Sequence, residues 1–270
     1  QRIGDRVLFA KQPVDAYAVI AHARIHIGAR RGHIGEPSAK TVSDATNLGD
    51  ALFRADIMDG RFDIADALIL VDAVSSAGGV PISVDAWGID VVATASQKSW
   101  ISPPGISMVT FSEKAWEAHS HSTSPKYYLD IEQYRMYLEL GQPPFTPCLP
   151  AMYTLEVALQ SMVDEGIENI FARHHEIAQH TRDGAKALGL ELLPDPQFAS
   201  NTVTAIRLPE DIDGKAFLAN VSKNYNVILG GGQKSLVGKI FRVGHMGWVE
   251  KSHIDEALKA AEETLKSMTS

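Results

Sequence analysis

Lys98 and Asp72 are the two residues whose types and spacing most directly imply chemistry. The lysine closes the run Ala93-Thr94-Ala95-Ser96-Gln97-Lys98, and the aspartate opens Asp72-Ala73-Val74-Ser75-Ser76, 98 − 72 = 26 positions earlier. A lysine amine condenses with an aldehyde to a Schiff base, and a carboxylate keeps an aromatic ring nitrogen protonated so that the ring accepts electrons. Pyridoxal phosphate needs both groups. Asp72 directly follows the apolar run Ala67-Leu68-Ile69-Leu70-Val71, and Lys98 follows a second run, Ile89-Asp90-Val91-Val92-Ala93. Such runs read as strands of a buried parallel sheet. Open α/β sheets place their ligands at the C-terminal strand ends, so both side chains are expected at one sheet edge.

Taken singly, an aspartate after a strand is a cap or turn residue, and a lysine is a solvated charge. Together with Ser96-Gln97 before the lysine and Ser102-Pro103-Pro104-Gly105 after it, they form a specific pattern. The stretch VDAVSSAGGVPISVDAWGIDVVATASQKSWISPPG, residues 71–105, resembles the cofactor strand and Schiff-base loop of the class V aminotransferases, particularly the alanine-glyoxylate and serine-pyruvate group. The resemblance runs from near Ala67 to the C-terminus. It implies a fold-type-I pyridoxal phosphate enzyme of α/β class, with a mainly parallel sheet in the large domain and a small α+β C-terminal domain. It assigns Lys98 to the cofactor aldehyde, Asp72 to the ring nitrogen, Gln97 to the neighbourhood of the ring hydroxyl, and Val74 to an apolar shelf against the ring. The implied reaction is transamination of a small amino acid, alanine or serine, with a 2-oxo acid such as glyoxylate or pyruvate. Aspartate stays open as a donor.

Two further clusters bear on that reading. In Pro144-Phe145-Thr146-Pro147 the threonine matches one that binds the cofactor phosphate of the neighbouring subunit, which implies a homodimer with shared sites. On residue type alone, Thr146 equally suits the N-terminal cap of the helix that follows. In Phe241-Arg242-Val243-Gly244-His245-Met246-Gly247 the resemblance assigns Arg242 to the substrate carboxylate. A guanidinium fork pairs bidentately with a carboxylate and stays charged at any relevant pH. Gly230-Gly231-Gly232-Gln233 lacks the spacing of a phosphate loop and reads as a flexible loop beside the site. His22, His26 and His33 lack an acidic partner at metal-ligand spacing. Cys148, between Pro147 and Pro150, is poorly placed to be the mobile nucleophile of a cysteine desulfurase, which shares the cofactor scaffold.

Composition sets wider bounds. Among 270 residues, 45% are hydrophobic and 21% charged, enough for a sizeable core and about two domains. The net charge of −8, without blocks of like charge, argues against nucleic acid or an anionic membrane as partner. One cysteine excludes an intrachain disulfide framework and suits a reducing, cytoplasmic setting. No apolar stretch approaches the roughly 20 residues of a membrane span.

The pattern divides the chain into a divergent segment at 1–65, a cofactor-binding portion at 66–165 and a C-terminal domain at 166–270. Strands are expected at Gly105–Phe111, Thr202–Arg207, Val227–Leu229 and Ile240–Val243, beside the two apolar runs. Helices are expected from Glu113, over Tyr127–Leu140, from Pro150 to Gly166, over Ile167–Leu188, Lys215–Lys223 and His253–Lys266. Only 71 residues precede Asp72. The first 65 lack a hydroxyl-rich turn before a helix for the phosphate and an aromatic residue to stack on the ring. The segment also lacks an initiating Met and a signal-peptide pattern. The resulting expectation is a shortened chain that binds the cofactor weakly, and the alternative is a degenerate, non-catalytic homologue that keeps the dimer surface and C-terminal domain.

Overall fold

The computed structural model describes residues 68–269 and a two-residue strand, β1 (Ala16–Tyr17). The expected divergent segment at 1–65, its glycine-rich stretch, and His22, His26 and His33 otherwise lie outside the described residues. The chain divides into two compact units, one including Ile82–Glu165 and the strand that ends at Asp72, the other including Gly78–Pro81 and Gly166–Ser270. Among the described residues no helix is long and apolar enough to cross a membrane.

The first unit is an α/β unit built on β2 (Leu70–Asp72), β3 (Val91–Ala95) and β4 (Ser107–Phe111). The sheet order is β1-β4-β3-β2, with β2 and β3 parallel and the other two pairs antiparallel. The described part of the sheet is therefore mixed. Its reversal has a local cause. Parallel strands need a crossover of a dozen or more residues, whereas only the tight segment 96–106 joins β3 to β4.

Asp90 secures the entry end of these strands. Its buried carboxylate accepts the Ile69 amide at 2.8 Å through Oδ2 and the Ser112 hydroxyl at 2.7 Å through Oδ1, and Lys114 Nζ lies 3.7 Å away. Ser112 also accepts the Ala115 amide at 3.1 Å, capping α1 (Glu113–Ser120). Trp116 of α1 packs on Phe111, with ring centroids 5.1 Å apart, and carries the Arg135 guanidinium 4.4 Å above its face. Arg135 belongs to α2 (Ile131–Glu139), which begins four residues later than the periodicity from Tyr127 suggests, because Asp130 caps it by accepting the Glu132 amide. The longer α3 (Leu149–Glu165) completes the unit.

The second unit is α+β. Its sheet is antiparallel in the order β5-β7-β6, with β5 (Val203–Arg207), β6 (Gly230–Gly231) and β7 (Ile240–Gly244). Three helices accompany it: α4 (Ile167–Ala187), α5 (Gly214–Tyr225) and α6 (Lys251–Thr269). Asp213 caps α5 by accepting the Lys215 and Ala216 amides, and Asn226 ends it in the left-handed region at φ 56°. On α6, Ile254, Ala257, Leu258 and Ala261 recur at helical spacing and are buried. The core joins them to Phe217, Phe241, Ile206 and Val221, with Phe217 and Phe241 rings 5.1 Å apart.

Two expectations fail in this unit. Val227–Leu229 is not a strand, and the glycines read as a flexible loop form the edge strand β6 instead. Close packing fixes the turn that follows β6. A Cβ at Gly232 would lie 2.0 Å from the Leu236 carbonyl oxygen, so only glycine lets the chain turn there.

Candidate active site

Asp72 ends β2 and pairs in register with Ala93 of the parallel strand β3, whose chain continues to Lys98 five residues further on. The two side chains therefore issue from the C-terminal ends of adjacent parallel strands. The Asp72 carboxylate is exposed and accepts the Val74 amide at 3.0 Å through Oδ1, a local turn that orients the carboxylate. Neither Asp72 nor Lys98 takes part in an ion pair among the described residues, which suits groups kept for an incoming ligand.

The lysine loop is fixed by its own hydrogen bonds. Ser96, completely buried, donates its hydroxyl to the Pro103 carbonyl at 2.6 Å and accepts the Ile106 amide at 3.3 Å. Its backbone amide donates to the Ile106 carbonyl at 2.9 Å, and its carbonyl accepts the Ser102 amide at 3.1 Å. Lys98 begins a turn closed by the Ile101 amide at 3.1 Å, with Ile101 at φ 50°. That conformation is costly for a β-branched residue and is maintained only where surrounding contacts over-determine it. Ser99 and Ser102 bury hydroxyls that have no hydrogen-bond partner among the described residues.

Behind the loop, Trp100 Nε1 donates to the Thr94 hydroxyl at 3.0 Å, and that hydroxyl donates to the Ala73 carbonyl at 3.1 Å. Ala73 is fully buried and gives its own amide to the Ala93 carbonyl at 2.8 Å. Ala73, the residue after Asp72, is thus held by β3 through both its backbone amide and its carbonyl.

The other expected residues fall as follows. Val74 is half-buried beside Asp72, and Gln97 is exposed next to Lys98. Thr146 is exposed three residues before α3, and its hydroxyl makes no hydrogen bond among the described residues, so the capping role is not realised. Phe145 beside it packs against the rings of Tyr127, Tyr128 and Tyr134 at 4.9 to 6.1 Å.

In the second unit Arg242 lies at the centre of its sheet, in register with Ala205 on one side and Gly230 on the other. Its Nε donates to the Gly231 carbonyl at 3.0 Å. A Cβ at Gly230 would stand 3.5 Å from Arg242 Nε, in ordinary van der Waals contact, so the guanidinium lies directly against this edge strand. Among the described residues no group engages its terminal nitrogens, leaving a fork suited to a carboxylate.

The chain after Arg242 is anchored by residues that spacing alone does not single out. His245 is fully buried; Nδ1 faces the Asn201 carbonyl at 3.1 Å and Nε2 the Thr204 hydroxyl at 2.8 Å. The carbonyl requires a proton on Nδ1, so the neutral ring accepts from Thr204. Burial pushes its pKa down from 6.5 to about 4. His174, also fully buried, accepts the Gly247 amide on Nε2 at 3.0 Å and places Nδ1 on the Ile170 carbonyl, while Arg173 donates to the Gly247 carbonyl at 2.8 Å. Their only sequence signal is the Gly244-His245-Met246-Gly247 segment of the C-terminal motif.

The model of the family described as aminotransferase class-V matches residues 48–250. The chain belongs to the class V aminotransferases. This class V match begins ahead of Ala67, where the sequence pattern placed its start. A class V similarity of 42% identity over 202 residues links the chain to the soluble hydrogenase small subunit of a Synechococcus strain, covering 75% of this chain and 52% of the relative. The serine–glyoxylate aminotransferase of Arabidopsis thaliana is 39% identical over 204 residues, covering 75% and 51%. Among solved structures, an alanine–glyoxylate aminotransferase from Nostoc sp. superposes with a TM-score of 0.71 at 33% identity, over 73% of this chain and 54% of that one. The class V chain spans about half the length of the curated relatives it matches. These likenesses establish the fold-type-I architecture expected from residues 71–105.

Proposed function

We propose that this chain serves pyridoxal-phosphate-dependent transamination of a small amino acid, alanine or serine, with a 2-oxo acid such as glyoxylate or pyruvate. One observation carries the reading: an amine and a carboxylate, neither in an ion pair among the described residues, issue from the ends of neighbouring parallel strands, the amine on a tightly hydrogen-bonded loop. The relatives named for serine– and alanine–glyoxylate transfer support the substrate class. Pyridoxal phosphate, when bound, supplies an aldehyde and an electron-accepting ring.

The chain's residues supply the rest. Lys98 would hold the cofactor through its aldehyde, and its Nζ would serve as the base for the substrate α-carbon proton. Asp72 would accept the N–H of the cofactor ring and stabilise its positive charge. Val74 offers an apolar surface to the ring, and Gln97 an amide to its hydroxyl. Arg242 orients the substrate carboxylate through its terminal nitrogens.

Thr146 is assigned to the cofactor phosphate of a neighbouring copy, which makes the working form a homodimer. The support is an apolar surface on the first unit: Tyr127 is 74% exposed, and Leu140, Val157 and Val163 are each 68% exposed. Exposed large apolar side chains of this kind are candidates for contact with a second copy where they adjoin one another. A cytoplasmic setting rests on the single cysteine.

The test is borohydride reduction of the protein after incubation with pyridoxal phosphate, followed by peptide mapping. The label is expected on Lys98 and absent from Lys98→Ala. A label retained by Lys98→Ala would sink the assignment, and an unlabelled parent protein would point to the non-catalytic homologue.

A further inference from the structure

We infer that Thr94 and Trp100 form a positioning clamp that sets the lysine loop relative to the Asp72 strand; the inference rests on the function proposed above. The clamp spans three segments. Trp100, two residues after Lys98, gives its indole N–H to Thr94 in the middle of the sheet, and Thr94 passes its hydroxyl proton to the carbonyl of Ala73, next to Asp72. Thr94 is 7% exposed, and its hydroxyl accepts one bond and donates one. A side-chain hydroxyl does both through one oxygen atom. Valine, of the same shape, would do neither.

The geometry explains why the loop tolerates Ile101 at φ 50°. A turn in that conformation relaxes unless it is held from outside, and the Trp100 anchor on the residue before Ile101 holds it. The bonds of Ser96 close the base of the loop, whereas the Thr94 bond ties its Lys98 side to the strand that delivers Asp72. Motion of the Lys98 backbone relative to the Asp72 strand is therefore resisted by the Trp100–Thr94 and Thr94–Ala73 bonds and by the bond of the Ala73 amide to Ala93.

The experiment compares the full chain with Thr94→Val, Thr94→Ser and Trp100→Phe by two readouts. The first, without cofactor, is hydrogen exchange of the Ile101 and Ser102 amides. The second is the rate at which pyridoxal phosphate becomes borohydride-fixed on Lys98. Thr94→Val and Trp100→Phe are expected to speed exchange at those amides about fivefold or more, the equivalent of one net hydrogen bond, and to slow fixation at Lys98. Thr94→Ser is expected to restore both. Unchanged exchange in Thr94→Val overturns the clamp, as does a serine variant that behaves like valine, since only packing would then matter. Faster exchange with undiminished fixation overturns its positioning role. Should Thr94→Val fail to fold, Trp100→Phe decides alone. If the parent chain fixes no cofactor, the functional reading fails, while the exchange data still decide the clamp.

Discussion

His245 should make the second unit sensitive to acid in a window well above the pH of general acid unfolding. In the folded chain its ring is sealed from water, faced by the charged Arg182 and by His174, and its pKa falls from 6.5 to about 4. An unfolded chain takes up this proton near the ordinary histidine value and the folded one does not, so the unfolded state binds more protons between the two. The sign follows: the contribution is complete above pH 6.5, declines as pH falls, and is gone below about 4. At about 1.4 kcal/mol per pH unit the whole window amounts to about 3 kcal/mol, of which about 2 kcal/mol is lost by pH 5. Urea unfolding of the parent and of His245→Gln, each at pH 7.5 and pH 5, isolates the effect because glutamine does not titrate. The stability advantage of the parent should shrink by about 2 kcal/mol on acidification. An equal pH dependence in both proteins, or a His245 ring that titrates by NMR near 6.5 in the folded state, would refute the reasoning.

Arg242→Lys keeps the charge but loses the planar fork and its Nε bond to Gly231. Amino-acid KM should rise roughly tenfold or more while cofactor absorption is unchanged, and an equal KM in steady-state assays would remove Arg242 from the site. Gly232→Ala places a methyl against the Leu236 carbonyl, a backbone atom that cannot rotate away. The urea midpoint should report a loss of about 1–3 kcal/mol, and an unchanged midpoint would show that the turn yields freely.

Most of the element plan was legible from periodicity and caps. The helix expected from Glu113 follows the cap residue Ser112, whose local hydrogen bond neighbouring residues determine, whereas the Asp213 cap of α5 appears only in the structure. The adjacency of Asp72 and Lys98 was legible for a related reason, because two apolar runs followed by functional residues imply strands that end together. What stayed hidden depends on distant partners. The Gly230–Gly231 strand carries no strand-forming side chains, and its pairing is imposed by β7, while Gly232 is dictated by a carbonyl four residues away. His174 and His245 look like ordinary histidines until the fold buries both. Thr94 sits in a strand where threonine is common, and its role appears only when Trp100 curls back to meet it. Thr146 shows the opposite limit: residue type allowed a helix cap, but the helix begins too late for its hydroxyl to serve.

The clasp formed by Asp90 divides one strand between two tasks. β3 starts beside a buried carboxylate that ties Ile69, Ser112 and Lys114 together, and its other end, about 17 Å away at strand spacing, leads to Lys98. Cohesion at one end frees the other from carrying it. Exchange of the Asp72 or Lys98 side chain is expected to leave the sheet assembled, whereas a change at Asp90 is expected to loosen the strands that carry both without touching either. In a mutational survey, residues 69, 90 and 112 should therefore be intolerant as a block for reasons of folding, and residues 72, 97 and 98 intolerant only where turnover is selected.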